Sequence, residues 1–517
     1  MNIFFRTNFS NNIGIGHIVR CSRLATEFEK KGHKCFFYLD TLSSHNLTSF
    51  QTFGMYKNKK DFSEEKDAKI FCENTSDKGK GYVVVDDYRI GYRWEKYVSK
   101  FHKKIISFDD LNNKTHFSDY IINYNPINYP EVKFKTKLNK KKSGSFLIHP
   151  KYNIVSRKEI KKNFRFKKNN FYITFYVGGG GQLSLFTKIL NVLVKNNETP
   201  KNIRYIVVFG KLSKNKKEII NLSKRFKKIK YFNKHNSLYY LIKKSHLFFG
   251  TSGTAIFETA YLKTPSILFQ MSKNQQTNIF SLENLGHYLF LDRPDLYNEN
   301  KIMKLIILIT KNYSRFCQLI KKPKIKIDNK GSLRVIKKIL YPSKLKQIKK
   351  NTVKIKRGLE IRKVNDKDLN HYLYCRNLKL NRKMSSNPKM ISILDHYIWW
   401  YETRRESYVL LEDGKRILYF YDEKINLFSK KKHYLSGWFA CNNKCTIRHI
   451  LFVLNWQKRL KTNVSWISFV KKTNLLAIKY SKYLDWRILK RKDKIIPQIR
   501  KKFKLDDKNF LFYERNA

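Results

Sequence analysis

Short unbroken apolar runs, each ending in glycine or acid, recur through the first two thirds of the chain and limit how it can fold. "MNIFFRT" runs into "NNIGIGHIVRC", "GYVVVDDY" ends in two aspartates and a tyrosine, and "KKIISFDD" ends in two more aspartates. Further on, "FYITFYV" runs into "GGGG", and "HLFF" into "GTSGTAIFETAYLKTPSILF". Solid apolar runs suit parallel strands buried on both faces. In such sheets ligands gather beyond the carboxyl ends of the strands. The pattern predicts strands at Ile3–Arg6, Lys34–Tyr38, Gly81–Val85 and Lys104–Phe108 in a first α/β region. After a basic, irregular stretch (Lys133 to Asn170), strands at Phe171–Val177, Ile203–Phe209 and Leu247–Phe249 open a second, over 168–315. Two α/β lobes joined by a linker imply a cleft between them.

The residues at these strand ends are the candidates for chemistry. Gly14 and Gly16 allow a tight turn and a close backbone approach. The helix after them carries Ile18, Cys21, Ala25 and Phe28 on one face. Its first N–H groups and its dipole favour an anion, and His17 lies beside that position, where a histidine can take a proton from water near neutral pH. Spacing alone fits equally a glycine turn with a surface histidine, and G-x-G without a third glycine is no dinucleotide fingerprint. Asp86, Asp87 and Tyr88 end one strand and Asp109 and Asp110 another. They are candidates for the same cleft, with Asp87 the substrate-binding choice, or else turn formers. Gly178, Gly179 and Gly180 offer bare backbone to a phosphate. Ser252, Gly253 and Thr254 stand where a helix begins, with Glu258 one turn further in as an acceptor for ribose hydroxyls. The plainer alternative there is an ordinary helix cap with a solvated glutamate.

Composition bounds the rest. The 517 residues suggest about three domains, and 42% hydrophobic content is enough for packed cores. No apolar run approaches the ~18 residues of a membrane span, and the N-terminus lacks the order of a signal peptide, so the expectation is a soluble, cytoplasmic protein. The 108 Lys and Arg against 40 Asp and Glu leave a net charge of +68. Lysine outnumbers arginine and is spread along the whole chain, which argues for codon bias and against a specific nucleic-acid surface. Of seven cysteines only Cys441 and Cys445 are close in sequence, and no second Cys/His pair completes a zinc set. The expectation is reduced, unpaired thiols and no metal.

Taken in order, the "NIGIGHIVRC" start, the strand-end "DDY", "ISFDD", the glycine run after a strand, "GTSGTAIFETAYLKTPSILF" and the "DNKGSLRVIKKIL" segment (Asp328 to Leu340) resemble the nucleotide-sugar hydrolases of pseudaminic acid biosynthesis. More distantly they are similar to the glycosyltransferase-B enzymes that add N-acetylglucosamine in peptidoglycan synthesis. The resemblance covers about residues 1–341. It implies two Rossmann-like lobes of the glycosyltransferase-B type, 1–150 with the catalytic histidine and 151–341 holding UDP. It implies His17 as base, Tyr88 as a substrate-side helper, and nucleotide contacts from Ser252, Gly253, Thr254 and Glu258, without metal or cofactor. The family often has Gly-Gly-x-Asp where this chain has "GGGGQ", so Gln182 is a departure. The implied reaction is hydrolysis of a UDP-linked 2,4-diacetamido-2,4,6-trideoxy sugar at the anomeric carbon. A glycosyltransferase using the same donor is the enzymatic alternative, and a polyanion- or membrane-surface-binding protein the non-enzymatic one.

Beyond a basic linker (342–356), residues 357–517 resemble the GNAT acetyltransferases, an α+β fold. The marks are Asp366 and Asp368, Arg376-Asn377, His396 and Trp399, with Asn474 and Tyr483 near the end. The resemblance makes acetyl-CoA a possible cofactor and a bifunctional hydrolase/N-acetyltransferase an alternative. Such enzymes hold the CoA pyrophosphate on a glycine-bearing loop at a helix start. Between Gly437 and Val470 this chain has no such glycines, which points to a degenerate domain.

Overall fold

A computed structural model describes residues 1–9, 15–42, 49–56, 62–126, 137–138, 145–155, 166–233, 238–271, 275, 277–342, 358–403, 405–427, 432–484, 486–490, 492–503, 505 and 508–516. The chain forms two compact units, Met1–Lys346 and Gln347–Ala517.

The first unit carries two parallel sheets. Strands β1 (Asn2–Thr7), β2 (Lys34–Leu39), β3 (Gln51–Gly54), β4 (Tyr82–Asp86), β5 (Lys104–Phe108), β6 (Thr115–His116), β7 (Tyr120–Asn123), β8 (Lys137–Leu138) and β9 (Ser145–Ile148) form its first part. Seven of them make one sheet in the order β3-β2-β1-β4-β5-β7-β9, while β6 and β8 pair separately. Every pairing in the large sheet is parallel. The second sheet takes β10 (Phe171–Tyr176), β11 (Ile203–Val208), β12 (Ile229–Phe232), β13 (Leu247–Thr251), β14 (Ser266–Phe269) and β15 (Leu289–Leu291) in the order β12-β11-β10-β13-β14-β15, again all parallel. Each order reverses direction beside its first strand, so both lobes are doubly wound Rossmann-like sheets, as expected. The helix Gly16–Glu29 buries Ile18, Cys21, Ala25 and Phe28 completely, the face read from the spacing.

One apolar core runs through both lobes. Tyr124 of the first meets Phe257 of the second edge to face at 5.4 Å between ring centroids. The helix Gly331–Leu340, within the Asp328–Leu340 segment, returns to the first lobe. A side chain on Gly331 would strike the Asn153 carbonyl, and Lys104 donates to the Ile339 carbonyl at 3.2 Å.

The polar interior of the first lobe centres on Arg6 of β1, which is wholly buried. Its guanidinium meets Asp67 at 2.6 Å and Asp40 at 2.6 Å. Asp67 also accepts from the Trp94 indole at 2.7 Å and the Tyr56 hydroxyl at 2.8 Å.

The second unit is one mixed sheet with helices, an α+β arrangement. Its strands are β16 (Leu359–Lys363), β17 (Glu406–Glu412), β18 (Lys415–Ile425), β19 (Lys432–Ala440), β20 (Val464–Lys471), β21 (Arg487–Ile488) and β22 (Phe510–Asn516), in the order β16-β17-β18-β19-β20-β22-β21. Only β19 and β20 run parallel, and their pairing stops at Leu435–Ile467. Beyond it β19 stays with β18 as far as Ala440, and β20 stays with β22 as far as Lys471. The two strands therefore splay into a wedge. Among the GNAT-like marks, Asp368 is fully buried between Arg362 at 2.7 Å and Arg416 at 2.9 Å. Asn474 caps the helix Leu475–Tyr483 through the Ala477 N–H. Among the described residues no helix is long and apolar enough to cross a membrane.

Candidate functional site

The parallel order of β1, β4 and β5 brings their carboxyl ends to one edge, and the helix Gly16–Glu29 begins there. His17 is in its first turn and is 4% exposed, which removes the surface-histidine alternative. Its Nδ1 lies 2.8 Å from Asp86 Oδ1 at the end of β4 and 3.1 Å from the Asp86 carbonyl. Its buried Nε2 has no hydrogen-bond partner among the described residues. The imidazole packs edge-on against Tyr88, with 4.5 Å between ring centroids.

Arg20, one turn on from His17, holds this arrangement in place. It grips Asp86 through Nε and Nη2, each at 2.6 Å, and reaches Asp110 at 2.8 Å. Its guanidinium stacks 4.4 Å over the Phe108 ring. Asp110 in turn accepts from the Tyr88 hydroxyl at 3.0 Å. Burial opposes a charge on His17, but the Asp86 carboxylate outweighs it, so the imidazole titrates above its ordinary value. Burial pushes Asp86 upward too, and Arg20 and His17 overcome it, holding the carboxyl far below the usual range. Asp86 is thus a fixed anion on Nδ1, which leaves Nε2 as the atom that exchanges a proton.

The other predicted residues fall as follows. Gly16 is exposed, and a side chain there would meet nothing within 4 Å. No side chain caps the helix start among the described residues. Gly14 lies outside the described residues. Asp87 turns away from His17: it pairs with Arg89 at 2.6 Å and lies 4.0 Å from Arg6. Asp109 faces His116 at 3.5 Å.

In the second lobe Gly178 has a positive φ of 88°. A side chain on Gly179 would collide with Ile15, the residue before the His17 helix. The glycine run is therefore needed where the two lobes touch. Gly180 is partly exposed beside it, and Gln182 is exposed. Gly179 and Gly181 carbonyls accept from Leu212 at 2.8 Å and Lys214 at 3.2 Å. The helix Ala255–Leu262 starts at the end of β13. Ser252 is buried and donates to the Gln275 carbonyl at 2.9 Å. Gly253 is partly exposed and Thr254 exposed at the open end. Glu258, 3% exposed, is not the solvated glutamate of the alternative reading. It meets Arg23 of the His17 helix at 3.1 Å, across the lobes. Burial raises the Glu258 carboxyl, which Arg23 only partly offsets.

Sequence reasoning did not assign Arg20, Arg23 and Asp110 their places, and it chose Asp87 over Asp86. The available signal was Arg20 and Arg23 at three-residue steps from His17, on the helix face that looks at the strand ends.

No family model matches the chain, and no curated protein matches it. Solved structures it is similar to include UDP-GlcNAc 2-epimerase from Neisseria meningitidis bound to UDP-GlcNAc, 10% identical, TM-score 0.41, over 66% of this chain and 100% of that one. MurG of Acinetobacter baumannii is 6% identical, TM-score 0.44, over 66% and 99%. An N-acetyltransferase from Staphylococcus aureus Mu50 is 15% identical, TM-score 0.23, over 31% and 98%. The fold assignment rests on the strand order and pairing described above.

Proposed function

We propose that Met1–Lys346 hydrolyses a UDP-linked sugar at its anomeric carbon, the substrate being a 2,4-diacetamido-2,4,6-trideoxy sugar. One observation carries this reading: a buried histidine whose Nδ1 is fixed by a carboxylate and whose Nε2 has no partner among the described residues, at the start of a helix. His17 Nε2 takes a proton from water as the water oxygen bonds to the anomeric carbon. The bond from that carbon to the diphosphate oxygen breaks, and UDP leaves with the electron pair. Its negative charge is met by N–H groups and hydroxyls at the start of the Ala255–Leu262 helix, where Ser252, Gly253 and Thr254 stand. A single displacement inverts the anomeric centre. Tyr88, fixed by Asp110, lines the sugar side. The resemblance of residues 1–341 to nucleotide-sugar hydrolases supports the substrate class. The test is incubation with a panel of UDP-sugars without an acceptor. UDP release is expected, and release only with a sugar or lipid acceptor would make the chain a glycosyltransferase.

Glu258 serves the nucleotide in this reading, its carboxylate oriented by Arg23 at the lobe boundary. Glu258→Ala is expected to weaken UDP binding by about 1.5–3 kcal/mol, the loss of a hydrogen bond to a charged group. Calorimetry with UDP measures it, and unchanged affinity would place the nucleotide elsewhere.

We infer for Gln347–Ala517 that acetyl-CoA binds weakly. The wedge opens on a small pocket lined by Ser436, Trp438, Val453, Ser468, Val470 and Tyr480. The helix that would meet the pyrophosphate, Ile447–Leu460, is already capped: Thr446 and His449 exchange hydrogen bonds across its first turn. Its N–H groups are thus partly used, and Lys458 and Lys461 stand at the opposite, C-terminal end of that helix, so they add only distant point-charge attraction that salt screens. Lys461 is itself paired with Glu406 and Asp422. Titration of the full chain with acetyl-CoA is expected to show weak binding that fades between low and physiological salt. Micromolar affinity persisting at physiological salt would contradict this.

A further inference from the structure

We propose that His371, Cys375 and Cys441 form a binding site for a thiophilic divalent cation of the zinc class. His371 and Cys375 are four residues apart on the helix Leu369–Arg376, which puts them on one face. Cys441 directly follows β19. One donor atom from each of the three lies within 4.8 Å of the others. The Cys375 Sγ is 3.5 Å from His371 Nδ1 and 3.9 Å from Nε2. In a tetrahedral zinc site, Zn–S near 2.3 Å and Zn–N near 2.0–2.1 Å put sulfur and nitrogen about 3.6 Å apart. The donors are therefore already spaced for an ion between them.

Three features support binding over a chance cluster. Cys375 is wholly buried and Cys441 is 7% exposed, and both are free thiols. The Tyr419 hydroxyl lies 3.0 Å from His371 Nδ1 and holds the ring's orientation beside the two thiols. The Asn381 amide donates to the Cys375 carbonyl at 2.6 Å and the Ala440 carbonyl at 2.8 Å. That clamp holds the helix end and strand end together, so the thiols are brought to one point before any ion arrives. Two thiolates and an imidazole are soft donors that suit zinc above magnesium or calcium. Both cysteines bind as thiolates, so a thiol proton still held leaves as the ion enters. In sequence Cys441 is near Cys445; the fold brings it beside two residues 66 and 70 positions away.

The test uses the full chain, kept reduced, stripped with a chelator and titrated with zinc against a chromophoric competitor. One zinc per chain is expected. Cys375→Ser and Cys441→Ser are each expected to weaken binding at least about 100-fold, since even partners that only orient a ligand are worth 10–100-fold. Cys317→Ser, in the other unit, is expected to change nothing. Loading with cobalt should give thiolate-to-metal charge-transfer absorption that both variants lose. If the variants fail to fold, the cobalt spectrum of the unaltered chain decides the question: thiolate-to-cobalt charge transfer that added zinc abolishes is expected. No stoichiometric uptake, uptake unaffected by both serine variants, or a cobalt spectrum without thiolate charge transfer would overturn the site.

Discussion

His17→Ala is expected to lower acceptor-independent UDP release by about 10²–10⁴-fold, the range for loss of a general base. UDP affinity should change little, because the groups assigned to UDP belong to the second lobe. The size of the effect follows from the geometry: among the described residues Nε2 has no partner, and the other ring nitrogen is fixed by a buried carboxylate. The pH profile carries a second signature. His17 acts as a base only when neutral, and Asp86 raises its titration above the ordinary value near 6.5. Activity should therefore rise with pH, with its acid limb above 6.5, and be lost as His17 is protonated below it. In the alanine variant the residual rate should lose that limb. Activity within a few-fold of the unaltered chain would remove His17 from the chemistry.

The largest stability effect is expected at Arg6. Arg6→Met keeps the bulk of the side chain, leaves Asp67 as a buried carboxylate without its cation and leaves Asp40 with Arg89 alone. Breaking a buried ion pair from one side costs about 3–5 kcal/mol. The double variant Arg6→Met with Asp67→Asn removes one stranded charge and should recover part of the loss. Urea unfolding of the full chain, with the first unit followed by proteolysis of its opened form, gives the number. A loss below about 1 kcal/mol would show that the cluster is solvated in solution.

The strand ends were legible because their signal is local. Solid apolar runs such as "GYVVVDDY" suit interior parallel strands, and β1, β2, β4, β5, β10, β11 and β13 begin and end within two residues of the expected positions. Short strands such as β3 and β9 carry mixed exposure and no such run. The choice between Asp86 and Asp87 was beyond a single sequence for a physical reason. Neighbouring strand residues point to opposite faces, and nothing in "DDY" says which face meets the His17 helix. Asp86 goes to His17 and Arg20, while Asp87 goes to Arg89. Glu258 was found as a helix residue, but its partner Arg23 lies 235 residues away, and only the closing of two lobes brings them together. The thiol cluster is the same case, because Cys375 and Cys441 become neighbours only when β19 ends beside the Leu369–Arg376 helix.

The central claim is that water, activated by His17, attacks the anomeric carbon. Hydrolysis of the UDP-sugar in ¹⁸O-labelled water, with no acceptor present, tests it most directly. The account predicts the label on the anomeric oxygen of the freed sugar, unlabelled UDP, and an inverted anomer as the first product. Label in UDP, retention of configuration, or no release without an acceptor would contradict it.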